Sequence, residues 1–347
     1  MVEIVDDTLR EGLQSPGMSY KIEEKIKIAE MLGNAGIQNA LVSYPSAHWS
    51  EKKVTEDIIK RKLIKNVYGL GRAFKNDIDQ IYETGAHISL HFPFKYDNID
   101  KVIEDIKYAI KLDDMTTVAL VDVVSNKEII INILRKLKEI GLKKVQLPDT
   151  TGNANPVFMR SLIKQAINEI GKDVEIEVHC HNDYGLSIAN CLSAIEEGAS
   201  SVSATVYGIG ERNGISDLFT IYYALKKMGY NISLNEQALF ELYDYMKELI
   251  LKKIGVEFFI KNFPIVGENT NIMTAGTHAH FSSVFSQEKY SINVYVGRSM
   301  IKKILEKYKI SLSDEKLSRL VELIKDVSVN EGKSLSYDDV LKLSKEV

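Results

Sequence analysis

The sequence predicts an α/β fold: a closed (β/α)8 barrel over residues 1–230, then a mostly helical C-terminal extension over 231–347. Three observations predict it. Strand-like runs alternate with helical periodicities, one pair every roughly 25–35 residues. About eight such pairs fit into the first ~230 residues, the number that closes a parallel sheet on itself. The turn after the first strand reads Asp7-Thr8-Leu9-Arg10-Glu11-Gly12, charged where an open doubly wound sheet would carry a glycine-rich phosphate turn.

In chain order, the short apolar runs predicted as strands are Val2–Val5, Asn39–Ser43, Asn66–Leu70, His87–Phe92, Thr117–Val124, Lys144–Leu147, Val174–Val178 and Ser201–Val206. Longer amphipathic stretches between them read as helices, among them Lys21–Leu32, Val102–Lys111, Lys127–Ile140, Val157–Ile170 and Asp217–Met228. Beyond the barrel, Leu234–Lys253 continues as helix and Gly255–Thr277 loosens. Ser313–Val327 and Ser336–Leu343 close the extension, the latter with early acids that suit a helix N-terminus. Trp49 is placed on a loop at the barrel mouth.

Composition excludes several classes. A chain of 347 residues that is 45% hydrophobic can bury one large core plus an appendage. A formal net charge of −4 leaves no basic footprint for nucleic acid. No apolar run approaches the roughly 18 residues of a membrane span, and the N-terminus begins directly as a strand. The two cysteines, Cys180 and Cys191, are too few for a disulfide framework, so a reducing cytoplasm is the expected location.

The chemistry concentrates at His179-Cys180-His181-Asn182-Asp183, directly after the seventh strand. Side chains alternate along a strand, so the two imidazoles project to one side, as a divalent metal requires. In a parallel barrel, active groups gather at strand C-termini. Those ends carry Arg10, Glu11 and Gln14 after the first strand, and Asp149-Thr150-Thr151-Gly152 after the sixth. Tyr207-Gly208-Ile209-Gly210-Glu211-Arg212-Asn213-Gly214 follows the eighth. Glu11 is the expected third ligand, giving two nitrogens and one oxygen with open positions. Arg10 beside it is a fixed cation suited to an enolate or carboxylate oxygen. His91, near the end of the fourth strand, is a candidate pocket residue, and Glu211-Arg212 suits an ion pair at the rim.

Four segments in this order resemble the metal-dependent isopropylmalate and homocitrate synthase family, within a wider barrel group that includes hydroxymethylglutaryl-CoA lyase. They are residues 6–17 around Arg10-Glu11, Leu147-Pro148-Asp149-Thr150-Thr151-Gly152, His179-Cys180-His181-Asn182-Asp183-Tyr184-Gly185 and Gly208-Ile209-Gly210-Glu211-Arg212-Asn213-Gly214-Ile215. Pro264–Asn269, Ala275–Ala279 and Gly297-Arg298 resemble the segment that follows the barrel in these synthases. The resemblance implies a TIM barrel holding zinc, manganese or magnesium through Glu11, His179 and His181. It implies condensation of acetyl-CoA, or another acyl-CoA, with a 2-oxo acid. Arg10, Glu177 and His278 would be catalytic, while Gln14, Thr150 and His91 would bind substrate. His278 would reach over the mouth of a neighbouring barrel, which makes a homodimer the expected assembly.

The departures from the family pattern cluster. Leu13, Leu41, Phe74 and Ala119 stand at or near positions where most relatives have polar groups, and Met273 replaces a histidine. An apolar pocket disfavours a dicarboxylic 2-oxo acid, because a second carboxylate would be buried without a partner. Asn213-Gly214-Ile215 nonetheless resembles the homocitrate branch, so both branches stay open. Two alternatives stand beside the synthase: a lyase or aldolase at the same metal, and a non-catalytic paralogue that binds a metabolite. A leucine-sensing C-terminal domain is not expected in a tail of this length.

Overall fold

The computed structural model describes residues 2–94, 98–262, 269, 272–273 and 289–347. Eight strands close into a barrel: β1 (Glu3–Asp6), β2 (Asn39–Ser43), β3 (Asn66–Arg72), β4 (His87–His91), β5 (Thr117–Ala119), β6 (Lys144–Asp149), β7 (Glu175–Cys180) and β8 (Ser201–Ala204). All neighbours pair in parallel, and β1 closes the ring by pairing with both β2 and β8, with Val5 opposite Ser203. The outer helices are α1 (Ile22–Asn34), α2 (Trp49–Lys60), α3 (Lys75–Glu83), α4 (Ile99–Leu112), α5 (Lys127–Glu139), α6 (Pro156–Ile170), α7 (Ser187–Glu197) and α8 (Leu218–Lys227). This is the (β/α)8 barrel that the sequence predicts.

Alternation along the strands sorts residues cleanly between two environments. On β7, Ile176, Val178 and Cys180 join the main core under the helices, which leaves Glu177 and His179 facing the barrel axis. The same parity puts Lys144 and Gln146 of β6 and Ser201 and Ser203 of β8 inside. Leu41, Tyr68 and Leu70 form a separate apolar cluster from β2 and β3, distinct from the core that takes their neighbours Ala40, Val42 and Val67.

Several boundaries differ from expectation for identifiable reasons. β5 stops at Ala119 and not at Val124, because the chain turns through a left-handed Asp122 (φ 55°). β6 runs past Pro148 to Asp149. Proline removes a donor but not an acceptor, and the Pro148 carbonyl takes the Val123 N–H at 3.1 Å. β7 extends to Cys180, so His179 lies within the strand, and His181 follows in a single bridge to Ile215. Trp49 opens α2 instead of lying on a loop, since His48 caps that helix by accepting the Ser50 N–H. Asn155 caps α6 and Pro156 occupies its first turn.

The extension holds α9 (Glu236–Lys253), α10 (Glu257–Lys261), a short parallel pair β9 (Ile272–Met273) and β10 (Lys289–Tyr290), then α11 (Arg298–Lys307), α12 (Asp314–Glu331) and α13 (Tyr337–Leu343). Leu239, Leu242, Met246 and Ile250 of α9 belong to the barrel's own core. A second core, from Tyr290 to Val340, is built by α11–α13 around Ile292, Met300, Ile304, Leu320 and Ile324. It docks on the barrel where Ser19 meets Ser328, Lys325 Nζ donates to Ala47 O, and His48 and Trp49 both contact Asp326. Among the described residues, no helix is long and apolar enough to cross a membrane.

Candidate active site

The loop after β1 begins with Asp7 and folds into one 3-10 turn, Glu11–Gln14. Glu11 N–H donates to the Asp7 carbonyl at 2.7 Å, which turns the Glu11 side chain back over the barrel axis. There it meets His179 and His181. Among the described residues, these three form a group whose ligand atoms all lie within 4.8 Å of one another, and all three are buried. The imidazole centroids are 5.3 Å apart with planes at 63°.

Both Glu11 oxygens are already oriented. Oε1 accepts the Glu211 N–H at 2.9 Å, and Oε2 takes Arg10 Nη1 at 2.5 Å. Asp7 Oδ2 lies 3.6 Å from His179 Nδ1, so a carboxyl group stands behind an imidazole, the arrangement that aims metal-binding histidines. Burial holds the Asp7 pKa well above the ordinary carboxyl range, with Arg10 opposing and Glu11, Asp6 and Glu177 adding to it. Arg10 stays charged, since Glu11, Asp7, Tyr295 and Glu211 together outweigh the cost of its burial. One carboxylate and two imidazoles grouped in this way are a donor set that fits a divalent cation.

The loop after β8 forms the other wall. Arg212 is buried and adopts a left-handed φ of 56°. Its Nε and Nη2 each lie 2.9 Å from an Asp183 oxygen, and Nη2 also donates to Thr150 O at 2.7 Å. Three strand ends are thus tied together, and Glu211–Arg212 carries the rim ion pairing that its charges suggest. Gly210 must be a glycine: a Cβ there would lie 2.8 Å from Glu11 Oε1. At Gly214 (φ 76°) a Cβ would collide with the Gly208 carbonyl.

The other sequence candidates separate by position. Thr150 is buried at the end of β6, its hydroxyl accepting the Asp122 N–H at 2.8 Å, which leaves its own proton to donate. Gln14 is buried at the end of the 3-10 turn. His91 ends β4, half-buried and in register with Arg72. Glu177 sits one step below His179 on the same face of β7. Burial would raise its pKa, but Lys144 Nζ at 2.8 Å and hydrogen bonds from Ser203 and Gln146, both 2.7 Å, hold it below the usual range. A carboxylate so engaged positions its neighbours and is poorly placed to move protons. His278, with Glu268, lies outside the described residues.

Of the four departures, Leu41 and Ala119 have the inward parity, whereas Leu13 is fully buried in the main core and Phe74 packs against that core. The set expected to line one pocket is therefore split. Sequence reasoning missed Asp7 as the residue behind His179; its signal was its place at the end of β1. It also missed Asn293, which reaches this loop from the stretch after β10, and Tyr295, which donates to Glu51 of α2, neither with any local signal.

Residues 1–246 match the HMGL-like family. The chain is 30% identical over its full length to a probable 2-isopropylmalate synthase of Methanopyrus kandleri, covering 73% of that protein. Against the 2-isopropylmalate synthase of Sulfurisphaera tokodaii it is 31% identical, covering 97% of this chain and 93% of the relative. Among solved structures, hydroxymethylglutaryl-CoA lyase from Pseudomonas aeruginosa superposes with a TM-score of 0.64 at 18% identity, over 74% of this chain and 95% of that one. This last likeness concerns the fold.

Proposed function

The chain belongs to the HMGL-like family, and from that premise we propose that it is a divalent-metal-dependent acyltransferase of the 2-isopropylmalate and homocitrate synthase type. It would join the methyl carbon of acetyl-CoA, or another acyl-CoA, to the keto carbon of a 2-oxo acid, with water then releasing CoA. The observation that carries the reading is the Glu11–His179–His181 group with Arg10 held against Glu11. Glu11, His179 and His181 would hold zinc, manganese or magnesium, which supplies Lewis acidity toward the 2-oxo acid.

The remaining chemistry falls to the chain's own groups. Arg10 has its charge fixed by buried acids and presents it where negative charge grows on the keto oxygen as the new carbon–carbon bond forms. Thr150, with its hydroxyl proton available, suits the substrate carboxylate. A base must take the methyl proton of the acyl-CoA and an acid must return one to the alkoxide; His278 is the proposed carrier, acting from the partner of a homodimer. Glu177 keeps the floor beneath His179 charged and fixed. Leu41 and Ala119 on the inward face favour a 2-oxo acid with an apolar side chain. A thiol-release assay with acetyl-CoA and a panel of 2-oxo acids tests this. Turnover is expected with branched apolar 2-oxo acids, while tight, fast use of 2-oxoglutarate would refute the pocket assignment. No thiol release with any acceptor, with intact metal uptake, would turn the assignment toward cleavage or simple binding.

A further inference from the structure

The loop that carries Arg10 and Glu11 takes its shape from a residue about 280 positions away, as hydrogen bonds across that separation show. A single 3-10 turn is too short to hold itself, because one turn fixes several dihedrals for very few hydrogen bonds. Within Glu11–Gln14 the support is slight: the Ser15 N–H reaches the Gly12 carbonyl at 3.2 Å. The first residue of the turn is anchored from the barrel side by the Asp7 carbonyl and the Glu211 N–H, and its far end is held by the stretch that leads into the second core. The stretch Ser291–Tyr295 runs alongside residues 13–18, and Asn293 within it has no exposed surface. Its Nδ2 donates to the Leu13 carbonyl and, at 3.2 Å, to the Met18 carbonyl, while its Oδ1 accepts the Tyr295 N–H at 3.0 Å. The amide's two protons are used on the active-site loop and its oxygen on its own turn.

Neighbouring contacts run the same way. Ser291 Oγ accepts the Gly17 N–H at 3.3 Å, and Ser334 Oγ donates to Met18 O at 2.9 Å. Tyr295 donates to Glu51 Oε2 at 3.1 Å, the other Glu51 oxygen holding buried Lys25 at 2.6 Å. Its phenol also lies within electrostatic range of Arg10. Leu13 and Asn293 are both buried, so water has no ready access to replace a lost donor at the Leu13 carbonyl.

We propose that Asn293 is a positioning residue for the active site: by clamping the carbonyls of Leu13 and Met18, the second core sets the pitch of the Glu11–Gln14 turn and so the aim of Arg10 and Glu11. The consequence for metal affinity rests on the metal reading given above; the consequence for the loop does not. Two measurements on the full chain separate them. In hydrogen exchange, Asn293→Ala and the nearly isosteric Asn293→Asp should speed exchange in residues 11–18 by about tenfold or more, with the strands of the barrel unchanged. In calorimetric titration with Mn2+ or Zn2+, both variants should bind about tenfold to a hundredfold more weakly. Ser328→Ala removes the docking contact to Ser19, outside the turn and the two clamped carbonyls, and should leave the affinity as in wild type.

Unchanged exchange in residues 11–18 overturns the proposal, as does unchanged affinity in a wild type that binds the ion. Global unfolding of both Asn293 variants also overturns it, since a clamp on one loop leaves the barrel folded. A wild type that takes up no ion defeats the metal reading instead, and faster exchange in residues 11–18 would then still support the clamp.

Discussion

Arg10 Nη1 rests 2.5 Å from Glu11 Oε2, a contact between adjacent residues inside a buried loop. The pair is not a surface salt bridge: Arg10 is 5% exposed and Glu11 fully buried. The same carboxylate faces two imidazoles, so one residue links the fixed cation to the candidate metal ligands. Changing either partner therefore has separable consequences.

Arg10→Lys keeps the charge but loses the planar fork and its reach. The variant is expected to lose about 100-fold or more in kcat with a smaller change in KM, because the missing interaction grows with the developing charge. Steady-state kinetics with the best acceptor from the panel check this. A kcat within a few-fold of wild type would remove Arg10 from the chemistry.

Metal analysis after gel filtration addresses the ligands. Wild type is expected to retain about one divalent ion per chain, and Glu11→Gln, His179→Ala and His181→Ala to retain much less, since three ligands make a minimal protein site. Stoichiometry unchanged by His179→Ala would sink the assignment.

Arg212 ties Asp183 and the Thr150 carbonyl together inside the barrel rim. Arg212→Ala would strand the Asp183 and Glu211 carboxylates in a buried place. Breaking one side of such a pair costs about 3–5 kcal/mol, visible as a lowered denaturation midpoint. Arg212→Ala with wild-type stability would mean that these acids are reached by water.

Asp6 sits on the outward face of β1, where burial pushes its pKa up to about 7 despite two hydrogen bonds from Thr8. An unfolded aspartate titrates near 3.8. Between those values the native state keeps a proton that the unfolded chain has released, so stability falls as pH rises through that window. The contribution is fully present below about pH 4 and gone above about pH 7. Asp6→Asn should flatten that part of the curve by about 2–4 kcal/mol over the range. Denaturant melts at pH 4.5, 6 and 7.5 with parallel wild-type and variant profiles would contradict it.

Much of this was legible from residues alone because it is local. A period of two on Val174–Val178, continued into His179 and His181, already puts two imidazoles on one face, and the barrel delivers them there. Alternating strand and helix periodicities, with charge in place of glycine after the first strand, were enough for the barrel. Local pattern could not say that β6 continues through Pro148, because a missing donor matters only if the neighbouring strand needs it.

Other features were decided by tertiary structure. Glu11 meets His179 and His181 because β1 closes against β8, and β8 against β7, so residues some 170 positions apart share one rim. Closure depends on the register of the whole ring, which no single segment encodes. The same holds for Leu13, which the sequence groups with Leu41 as pocket lining; the 3-10 turn rotates it into the main core. Asn293 is the extreme case. As a polar residue between apolar neighbours, its sequence gives no reason to expect burial. Two backbone carbonyls of a loop near the N-terminus supply the acceptors that make burying its amide tolerable.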